Sequence, residues 1–254
     1  MLVEIPEERP FEIKEIEGKG MGVIATRDIK AGELILKETP LVTHSNGSGI
    51  AGLDRLVAAL SDADKDSYNS LYVNPSLASL SRPLAIFKTN AMGLGENAEK
   101  GGLFVEGSRF NHSCRPNCSQ WWDEKEGVSW FIASRKIKSG EEICICYNKM
   151  MEPRAERQRW LKKTFGFDCD CEACSRSPEE TIASDSRRQT IFDTYDSLRP
   201  LSVDPVGLIK AVNKALRLLK EEGISLLGPS LALRLPKHRG CPQRQSLDRK
   251  GSRA

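Results

Sequence analysis

Three cysteines within six residues constrain this chain more than any other feature of its sequence. Cys169, Cys171 and Cys174 form a C-x-C-x2-C pattern, in which three thiolates can reach one tetrahedral metal ion. Zinc matches these soft ligands and this geometry best. A loop of incidental buried thiols is the alternative, but so dense a cluster is rare outside metal or disulfide sites. The fourth position would hold water or a distant cysteine, and Cys114 and Cys118 are both candidates.

The beginning of the chain and its composition indicate where such a protein would work. Residues 1–10 carry acids and prolines, where a signal peptide would need a basic flank and an apolar stretch. No apolar run is long enough to cross a bilayer. We therefore expect a protein of the nucleus or the cytoplasm, where clustered cysteines serve metal sites rather than disulfides. With 254 residues, 39% of them apolar, the chain can bury a core without disulfide support.

Charge is unevenly distributed along the chain. Residues 234–254 contain seven Lys and Arg against one Asp, a local charge of +6, whereas the whole chain carries +3. The preceding residues 1–233 therefore carry −3, which is unlike a dedicated nucleic-acid binder and suits a basic peptide substrate. We expect the basic tail to make weak contact with nucleic acid or acidic partners.

Local patterns predict strands at both ends of a helical middle. The predicted strands are residues 11–16, 22–26, 34–37, 103–105, 128–133 and 143–147. Apolar residues at helical spacing predict helices within residues 45–88, and acids followed by bases predict a helix at 151–164. A polar linker is expected at 175–186, followed by two further helical patterns through Leu198 and Leu219.

Three short segments carry the chemistry of the sequence. They are Gly18-Lys19-Gly20-Met21-Gly22, residues 109–118 with the sequence RFNHSCRPNC, and residues 140–147 with the sequence GEEICICY. Together they resemble the SET-domain protein-lysine methyltransferases, whose signature is a glycine loop, an N-H-S-C-x-P-N segment and a G-E-E-x-x-x-x-Y strand before a cysteine-rich post-SET zinc site. The resemblance covers about residues 11–175. Over residues 142–174 it is greatest for the SET-and-MYND branch and its finger-less relatives. Residues 45–88 contain no cysteine for a MYND finger, so the resemblance is to the finger-less SET domain-containing protein 5 type.

The resemblance implies a fold and a division of the chain. The fold would be α+β, mainly β with helical additions, a β-clip of small sheets in which the Asn111 segment threads beneath the Tyr147 segment in a pseudoknot. Residues 1–10 would be an N-terminal extension, and residues 11–148 a SET domain with a helical insert at about 45–88. Residues 149–175 would form a linking helix and post-SET zinc site, 176–222 a helical C-terminal segment, and 223–254 a basic, disordered tail.

The resemblance also assigns binding roles to individual residues. The predicted contacts to S-adenosylmethionine, the methyl donor of the family, are Lys19, Gly20, Met21, Asn90, Ser108, Phe110, Asn111, His112, Tyr147 and Phe167. For Asn90 the alternative is a helix or turn cap, and for Phe167 it is packing of the post-SET loop. The predicted ligands of one structural zinc ion are Cys114, Cys169, Cys171 and Cys174. With four protein ligands the ion has no open position for catalysis.

Tyr147 is the predicted catalytic residue. Strand periodicity places Ile143, Ile145 and Tyr147 on one face and the two intervening cysteines, Cys144 and Cys146, on the other, where they would fill the core. The Tyr147 hydroxyl would lie at the floor of an apolar channel and orient a neutral lysine amine. A core tyrosine with a satisfied hydroxyl is the alternative.

Taken together, these features predict an S-adenosylmethionine-dependent protein-lysine N-methyltransferase that acts on histone tails as a monomer. A methyltransferase for non-histone proteins and a catalytically silent SET-fold protein that binds peptides or chromatin are the alternatives. A cysteine hydrolase using Cys114 and His112 is disfavoured, because a zinc-bound thiolate is not a free nucleophile.

Overall fold

Short strands and helices alternate along the part of the chain that the computed structural model describes, residues 8–45, 50–95, 98–147, 150–197 and 205–225. The strands are β1 (Phe11–Ile16), β2 (Gly20–Ala25), β3 (Leu34–Glu38), β4 (Val42–Ser45), β5 (Met92–Gly93), β6 (Lys100–Leu103), β7 (Asn111–His112), β8 (Cys118–Asp123), β9 (Val128–Ala133) and β10 (Cys144–Ile145). The helices are α1 (Ile50–Ala58), α2 (Asp62–Asn69), α3 (Arg82–Asn90), α4 (Arg154–Phe165), α5 (Pro178–Ser197) and α6 (Pro205–Glu221). Most of the predicted N-terminal extension and the basic tail from residue 226 lie outside the described residues.

The strands form four small sheets rather than one large one. β1 and β2 make an antiparallel hairpin, and β3-β9-β8 and β4-β6-β5 are antiparallel three-stranded sheets. The fourth sheet pairs β7 with β10 in parallel, across a long stretch of chain. Small sheets accompanied by helices confirm the predicted α+β fold.

The parallel pair brings two of the three sequence segments together. Asn111 lies opposite Cys144 and His112 lies opposite Ile145, and the Ser113 N–H donates to the Ile145 carbonyl oxygen at 2.9 Å. Such side-by-side placement is what a pseudoknot requires, although the threading itself stays a prediction.

Strand β10 is shorter than the predicted strand at 143–147 because side chains replace a backbone partner at both of its ends. The Cys144 N–H donates to Asn117 Oδ1 at 2.8 Å. The Tyr147 N–H donates to His112 Nδ1 at 2.9 Å. Cys144 and Cys146 are buried, as predicted for core-filling residues.

The helical insert has its own core. Helices α1, α2 and α3 lie within it, and Ser61 caps α2 by accepting a hydrogen bond from the Asp64 N–H at 3.1 Å. Buried residues of the insert include Leu53, Tyr68 and Phe87, and the Tyr68 hydroxyl donates to the Pro83 carbonyl oxygen at 2.7 Å. Helices therefore occupy the segment predicted to be helical at 45–88, and α3 continues to Asn90.

The C-terminal helices depart from the sequence-based expectation at one point. Helix α5 begins at Pro178, so most of the predicted polar linker at 175–186 is helical. Ser177 explains the early start, because its Oγ accepts from the Glu180 N–H at 3.3 Å and its own N–H donates to Glu180 Oε2 at 3.0 Å. This S-x-x-E capping box was readable in the sequence and outweighs the polar composition. None of the described helices combines the length and the apolar character needed to span a membrane.

The main core surrounds the β7–β10 pair. Its fully buried members include Phe110, Phe131, Ile143 and Ile145. The cysteines at 114, 118, 169 and 174 are also part of this core. The sequence segments that carry the chemistry therefore lie at the edge of one continuous apolar core, where side chains are held in fixed positions.

Candidate functional site

Glu142 joins the glycine loop to the Asn111 segment. Its Oε2 accepts from Lys19 Nζ at 2.9 Å, and its Oε1 accepts from Asn111 Nδ2 at 2.9 Å. Partial burial opposes the charge on Lys19, but the Glu142 carboxylate raises the pKa of Lys19 above its ordinary value. Asn111 Nδ2 also lies 3.4 Å from the Met21 carbonyl oxygen. Lys19, Met21 and Asn111, three predicted cofactor contacts, are thus brought together.

Two glycines shape the loop that carries Lys19. Gly18 and Gly20 have φ angles of +73° and +71°, which side chains rarely adopt, and together they close the β1–β2 hairpin. Gly22 is needed for a different reason. A Cβ there would lie 2.2 Å from Ile16 Cδ1 and 2.8 Å from Asn111 Nδ2. Backbone atoms of the loop and the Asn111 side chain can therefore approach one another closely.

Tyr147 is buried, with 6% of its surface exposed, and its polar groups are held by the Asn111 segment. The hydroxyl donates to the carbonyl oxygen of Phe110, and the backbone N–H donates to His112 Nδ1. The Tyr147 ring lies 5.3 Å from the His112 ring and 5.1 Å from the Phe165 ring, measured between centroids. The predicted catalytic residue and three predicted cofactor contacts, at positions 110 to 112, form one cluster.

Aromatic rings from the end of α4 close one side of this cluster. Phe165 packs against Trp160 at 5.4 Å and against Phe167 at 6.4 Å between ring centroids. Phe167 also lies 6.2 Å from the His112 ring. A side chain placed beside Tyr147 therefore meets apolar rings, which disfavour a charged group.

Asn90 and Ser108 lie at the margins of this arrangement. Asn90 is the buried last residue of α3, and its Nδ2 donates to the Tyr72 and Ile86 carbonyl oxygens at 2.7 and 2.8 Å. Ser108 lies in a 3-10 turn immediately before Phe110. The hydrogen bonds of the Asn90 amide go to the helical insert and to α3 itself, and its contact with a cofactor stays a prediction.

Four cysteine sulfur atoms converge next to His112. The Sγ atoms of Cys114, Cys169, Cys171 and Cys174 all lie within 4.8 Å of one another, in a grouping that could hold a metal ion. Those of Cys114 and Cys174 are 3.7 Å apart, and a tetrahedral ion with Zn–S bonds of about 2.3 Å spaces its ligands by about 3.8 Å. The structure thus selects Cys114 over Cys118 as the fourth member. Cys118 lies outside the cluster, where burial raises the pKa of its thiol.

The environment of the four sulfurs suits a cation. Hydrogen bonds with the other three cysteines lower the pKa of Cys171. Hydrogen bonds with the other three raise the pKa of Cys169. The Cys114 N–H points to the Cys171 sulfur at 3.4 Å, and His112 Nε2 lies 3.3 Å from the Cys114 sulfur. Because unscreened thiolates at this spacing repel one another, a bound divalent ion is the arrangement that lets all four be deprotonated.

Asn74, which the sequence did not single out, connects the helical insert to the end of α4. It is buried, and its Nδ2 donates to the Thr164 carbonyl oxygen at 2.9 Å. A Cβ at Gly166, which ends α4 with a φ of +82°, would lie 3.0 Å from Asn74 Oδ1. The contact fixes the point from which the chain leads to Phe167 and the cysteine cluster.

The C-terminal helices attach to the cysteine cluster through buried charges. Glu222 is fully buried, and its carboxylate accepts from Arg176, Arg187 and Arg188 at 2.7 to 3.2 Å. Burial opposes the charge, but these partners and Ser184 lower the pKa of Glu222 to about 2. Nη2 of Arg188 donates to the Cys114 carbonyl oxygen at 3.2 Å. No local pattern indicated this network, because it depends on how α5 and α6 pack.

Comparisons with known proteins agree with the geometry. The family model described as SET domain matches residues 20–148. Histone-lysine N-methyltransferase set5 of Schizosaccharomyces pombe is 30% identical over 215 residues, covering 84% of this chain and 66% of set5. Histone-lysine N-methyltransferase SMYD3 of Mus musculus is 32% identical over 100 residues, covering 39% of this chain and 23% of SMYD3. Protein-lysine N-trimethyltransferase SMYD5 of Mus musculus is 40% identical over 81 residues, covering 31% of this chain and 20% of SMYD5.

These relatives are longer than the matched regions. The chain spans 66% of the length of set5 and less than a quarter of the two SMYD proteins. The similarity to the SET domain-containing protein 5 type that the sequence predicted is confirmed by the set5 match.

Proposed function

Because this chain belongs to the SET-domain family, we propose that it is an S-adenosylmethionine-dependent protein-lysine N-methyltransferase. The observation that carries the proposal is the meeting of three motifs at one place. Lys19, Asn111 and Tyr147 come from segments distant in the sequence, yet Glu142 and the β7–β10 pairing hold them together at the edge of the core. A fold alone does not establish turnover, and the convergence of these side chains is what argues for it.

We place the proposed cofactor site between the glycine loop and the Asn111 segment. The residues that would hold S-adenosylmethionine are Lys19, Gly20, Met21, Asn90, Ser108, Phe110, Asn111, His112, Tyr147 and Phe167. When bound, it supplies a methyl group on a positively charged sulfur, which a neutral lysine amine takes up in a single displacement. Within the described structure nothing lies within 4 Å of where a Cβ at Gly20 would be, so backbone N–H and C=O groups of the loop could approach a zwitterionic ligand there.

Tyr147 would orient the attacking amine. Its hydroxyl proton is held by the Phe110 carbonyl oxygen, so the lone pairs of the phenolic oxygen remain to accept a hydrogen bond from the lysine amine. Positioning of this kind supplies much of the rate enhancement when a reaction needs alignment more than acid or base chemistry.

The surroundings of Tyr147 would also favour the neutral amine. An ordinary lysine pKa of about 10.4 has to fall by about 3.4 to reach pH 7, which corresponds to about 4.6 kcal/mol. The rings of Phe165 and Phe167 desolvate an ammonium placed beside Tyr147, and a neighbouring positive sulfur repels it. The proton can then leave to solvent without a strong protein base.

We further propose that the four-cysteine cluster binds one structural zinc ion. The ligands would be Cys114, Cys169, Cys171 and Cys174, whose spacing fits tetrahedral coordination. Coordination would tie the loop of residues 169–174 to the Asn111 segment and so fix one wall of the active site. With four protein ligands the ion takes no part in the methyl transfer.

We propose that the substrate is a basic segment of a histone tail and that the protein works in the nucleus, in the cytoplasm or in both. Asp168, Asp170 and Glu172 are exposed and alternate with the buried or half-buried cysteines. Asp168 pairs with Lys162 and Glu172 pairs with Arg115, so Asp170 contributes most of the negative charge that would attract a basic segment. The relatives set5 and SMYD3 are named for histone-lysine methylation, and SMYD5 for protein-lysine trimethylation, so non-histone proteins remain the alternative substrates. We propose that the chain acts as a monomer and that its basic tail contacts nucleic acid.

Methyl transfer to histones tests the function. The full chain is incubated with S-adenosylmethionine and recombinant histones, and the acceptor is examined by mass spectrometry. We expect the wild type and Tyr72→Phe, a control at an exposed tyrosine, to add methyl groups. Tyr147→Phe should lower the rate by about 100-fold or more while still binding the donor in calorimetry.

The outcomes separate the alternatives. Equal labelling by Tyr147→Phe would reject the role of Tyr147. Donor binding by the wild type without transfer to histones or to a cell lysate would favour the catalytically silent protein. Absence of donor binding would reject the proposed function.

A further inference from the structure

Arg157 of α4 is a charged side chain buried almost completely, with 1% of its surface exposed. Its Nη1 donates to the Glu152 carbonyl oxygen and lies 3.7 Å from Asp185 Oδ1. Its Nε and Nη2 have no hydrogen-bond partner within the described structure. A buried guanidinium with two unpaired donors is unfavourable, so such a group calls for a partner.

The cysteine cluster is what lies beside those donors. The guanidinium neighbours the sulfur atoms of Cys114 and Cys174. Helix α4 is fixed to the same loop at the next residue, where Gln158 Nε2 donates to the Cys169 carbonyl oxygen at 3.2 Å. Arg157 therefore faces the sulfur atoms of Cys114 and Cys174, and its helix α4 is anchored to the loop that carries Cys169.

The charge of an occupied cysteine cluster would match this arrangement. Four thiolates around one divalent ion carry a net charge of −2, and three of the four cysteines are buried. A buried anion of this kind needs counter-charge within a few ångströms. Arg188, the other buried arginine nearby, directs its guanidinium to Glu222 and to the Met150 and Cys114 carbonyl oxygens.

We propose that Arg157 is the buried counter-charge of the metal-bound thiolates of Cys114 and Cys174. This inference rests on the proposed zinc site. When the cluster holds its ion, the Nε and Nη2 donors face sulfur atoms that carry negative charge, which compensates the burial of the guanidinium. Without the ion, the same guanidinium loses the charge of the metal-bound sulfurs and keeps Asp185 Oδ1, 3.7 Å from Nη1, as a charged partner. Arg157 thus acts on the active site only through the metal loop, as a positioning residue.

Metal affinity is the first test. Zinc and cobalt affinities of the full chain are measured by chelator competition for the wild type, Arg157→Met, Arg157→Gln and Arg157→Lys. Groups that contact metal ligands typically change affinity by about 10- to 100-fold when removed. We expect that loss for Met and Gln and a much smaller one for Lys, which keeps the charge. Arg154→Met is the matched control, because Arg154 lies one turn earlier on α4 and donates to the Arg176 carbonyl oxygen and to Thr181.

A stability cycle provides a second test that does not depend on metal affinity. We expect Arg157→Met to destabilise the zinc-loaded protein against urea, and to cost much less in a Cys171→Ser background, which holds the ion far more weakly. The difference follows because the guanidinium has already lost the metal-bound sulfurs in that background and keeps Asp185 beside it. A variant that is merely missing packing contacts would be destabilised equally in both backgrounds.

Each result decides the inference. Affinities of Arg157→Met and Arg157→Gln equal to that of Arg154→Met would overturn it, as would a loss in Arg157→Lys as large as in Arg157→Gln. If Arg157→Met does not fold, the Lys and Gln variants carry the comparison. A wild-type chain that binds no zinc would reject the proposed metal site itself, which is a separate outcome.

Discussion

The backbone N–H of Tyr147 donates to Nδ1 of His112 at 2.9 Å, and this contact makes Nδ1 the acceptor of the ring. The other ring nitrogen, Nε2, faces the Cys114 sulfur at 3.3 Å. The His112 ring therefore links the proposed catalytic tyrosine to the proposed metal site. Tyr147 and Cys114 are both buried, so both contacts are shielded from solvent.

Replacing His112 by Phe should lower stability. The ring shape is kept, but the buried Tyr147 N–H loses its acceptor, which costs about 1–3 kcal/mol. Urea unfolding of the full chain measures the loss. His44→Phe is the control, since His44 is also buried and packs edge-on against Phe87. An equal cost at the two positions would contradict the special role of the His112–Tyr147 contact.

Replacing Cys171 by Ser should remove the metal. We expect one zinc ion per wild-type chain by elemental analysis and far less in the variant, because three ligands hold the ion much more weakly than four. The loop of residues 169–174 should then exchange its amide hydrogens faster. Cys118→Ala should keep its zinc, since Cys118 lies outside the cluster. Metal-free wild-type protein would refute the site.

Replacing Gly22 by Ala should weaken donor binding. The new Cβ would press on Ile16 Cδ1 and on Asn111 Nδ2, which displaces the Asn111 side chain from Glu142. We expect calorimetry to show at least about tenfold weaker binding of S-adenosylmethionine, or about 1.4 kcal/mol. Ile16→Val, alone and combined with Gly22→Ala, removes the clash with Cδ1 and leaves the 3.0 Å contact with Cγ1 and the clash with Asn111 Nδ2. Full recovery in the double variant would show that Asn111 is not involved.

Replacing Glu222 by Gln should loosen the attachment of α5 and α6. Removing one partner of a buried ion pair costs about 3–5 kcal/mol, and here several arginines lose their carboxylate. Urea unfolding and hydrogen exchange of the two helices measure the effect. Asp193→Asn, at an exposed position of α5, is the control and should change stability little.

The same carboxylate predicts a pH dependence. The pKa of Glu222 is lowered to about 2, so its stabilisation is complete above the unfolded value of about 4.3 and is lost as the pH falls towards 2. Stability measured from pH 5 to pH 2 should fall more steeply for the wild type than for Glu222→Gln. Parallel profiles would contradict the assignment.

Local patterns were sufficient where a segment's partner is close in the sequence. The strands at 11–16 and 128–133 have the predicted bounds, since each pairs in a hairpin whose alternating residues are readable. The predicted strand at 143–147 was too long, because Asn117 and His112 side chains take over its pairing. The start of α5 at Pro178 was not predicted. The capping box of Ser177 and Glu180 was present in the sequence, but the polar composition of the segment favoured a linker.

Residue types and spacing determined the kinds of chemistry this protein holds. Three clustered cysteines, a glycine loop and a strand ending in Tyr147 are local features. A thiolate is a soft metal ligand and a phenol is a hydrogen-bonding group wherever the chain places them. Only the tertiary structure decided which residues meet. The choice of Cys114 over Cys118 as the fourth cysteine depends on the packing of segments far apart in sequence. So do the position of Glu142 between Lys19 and Asn111 and the position of Arg157 beside the sulfur atoms. Contacts of that kind leave no local pattern, because burial of a charge or choice of a ligand is set by the partner and not by the neighbours along the chain.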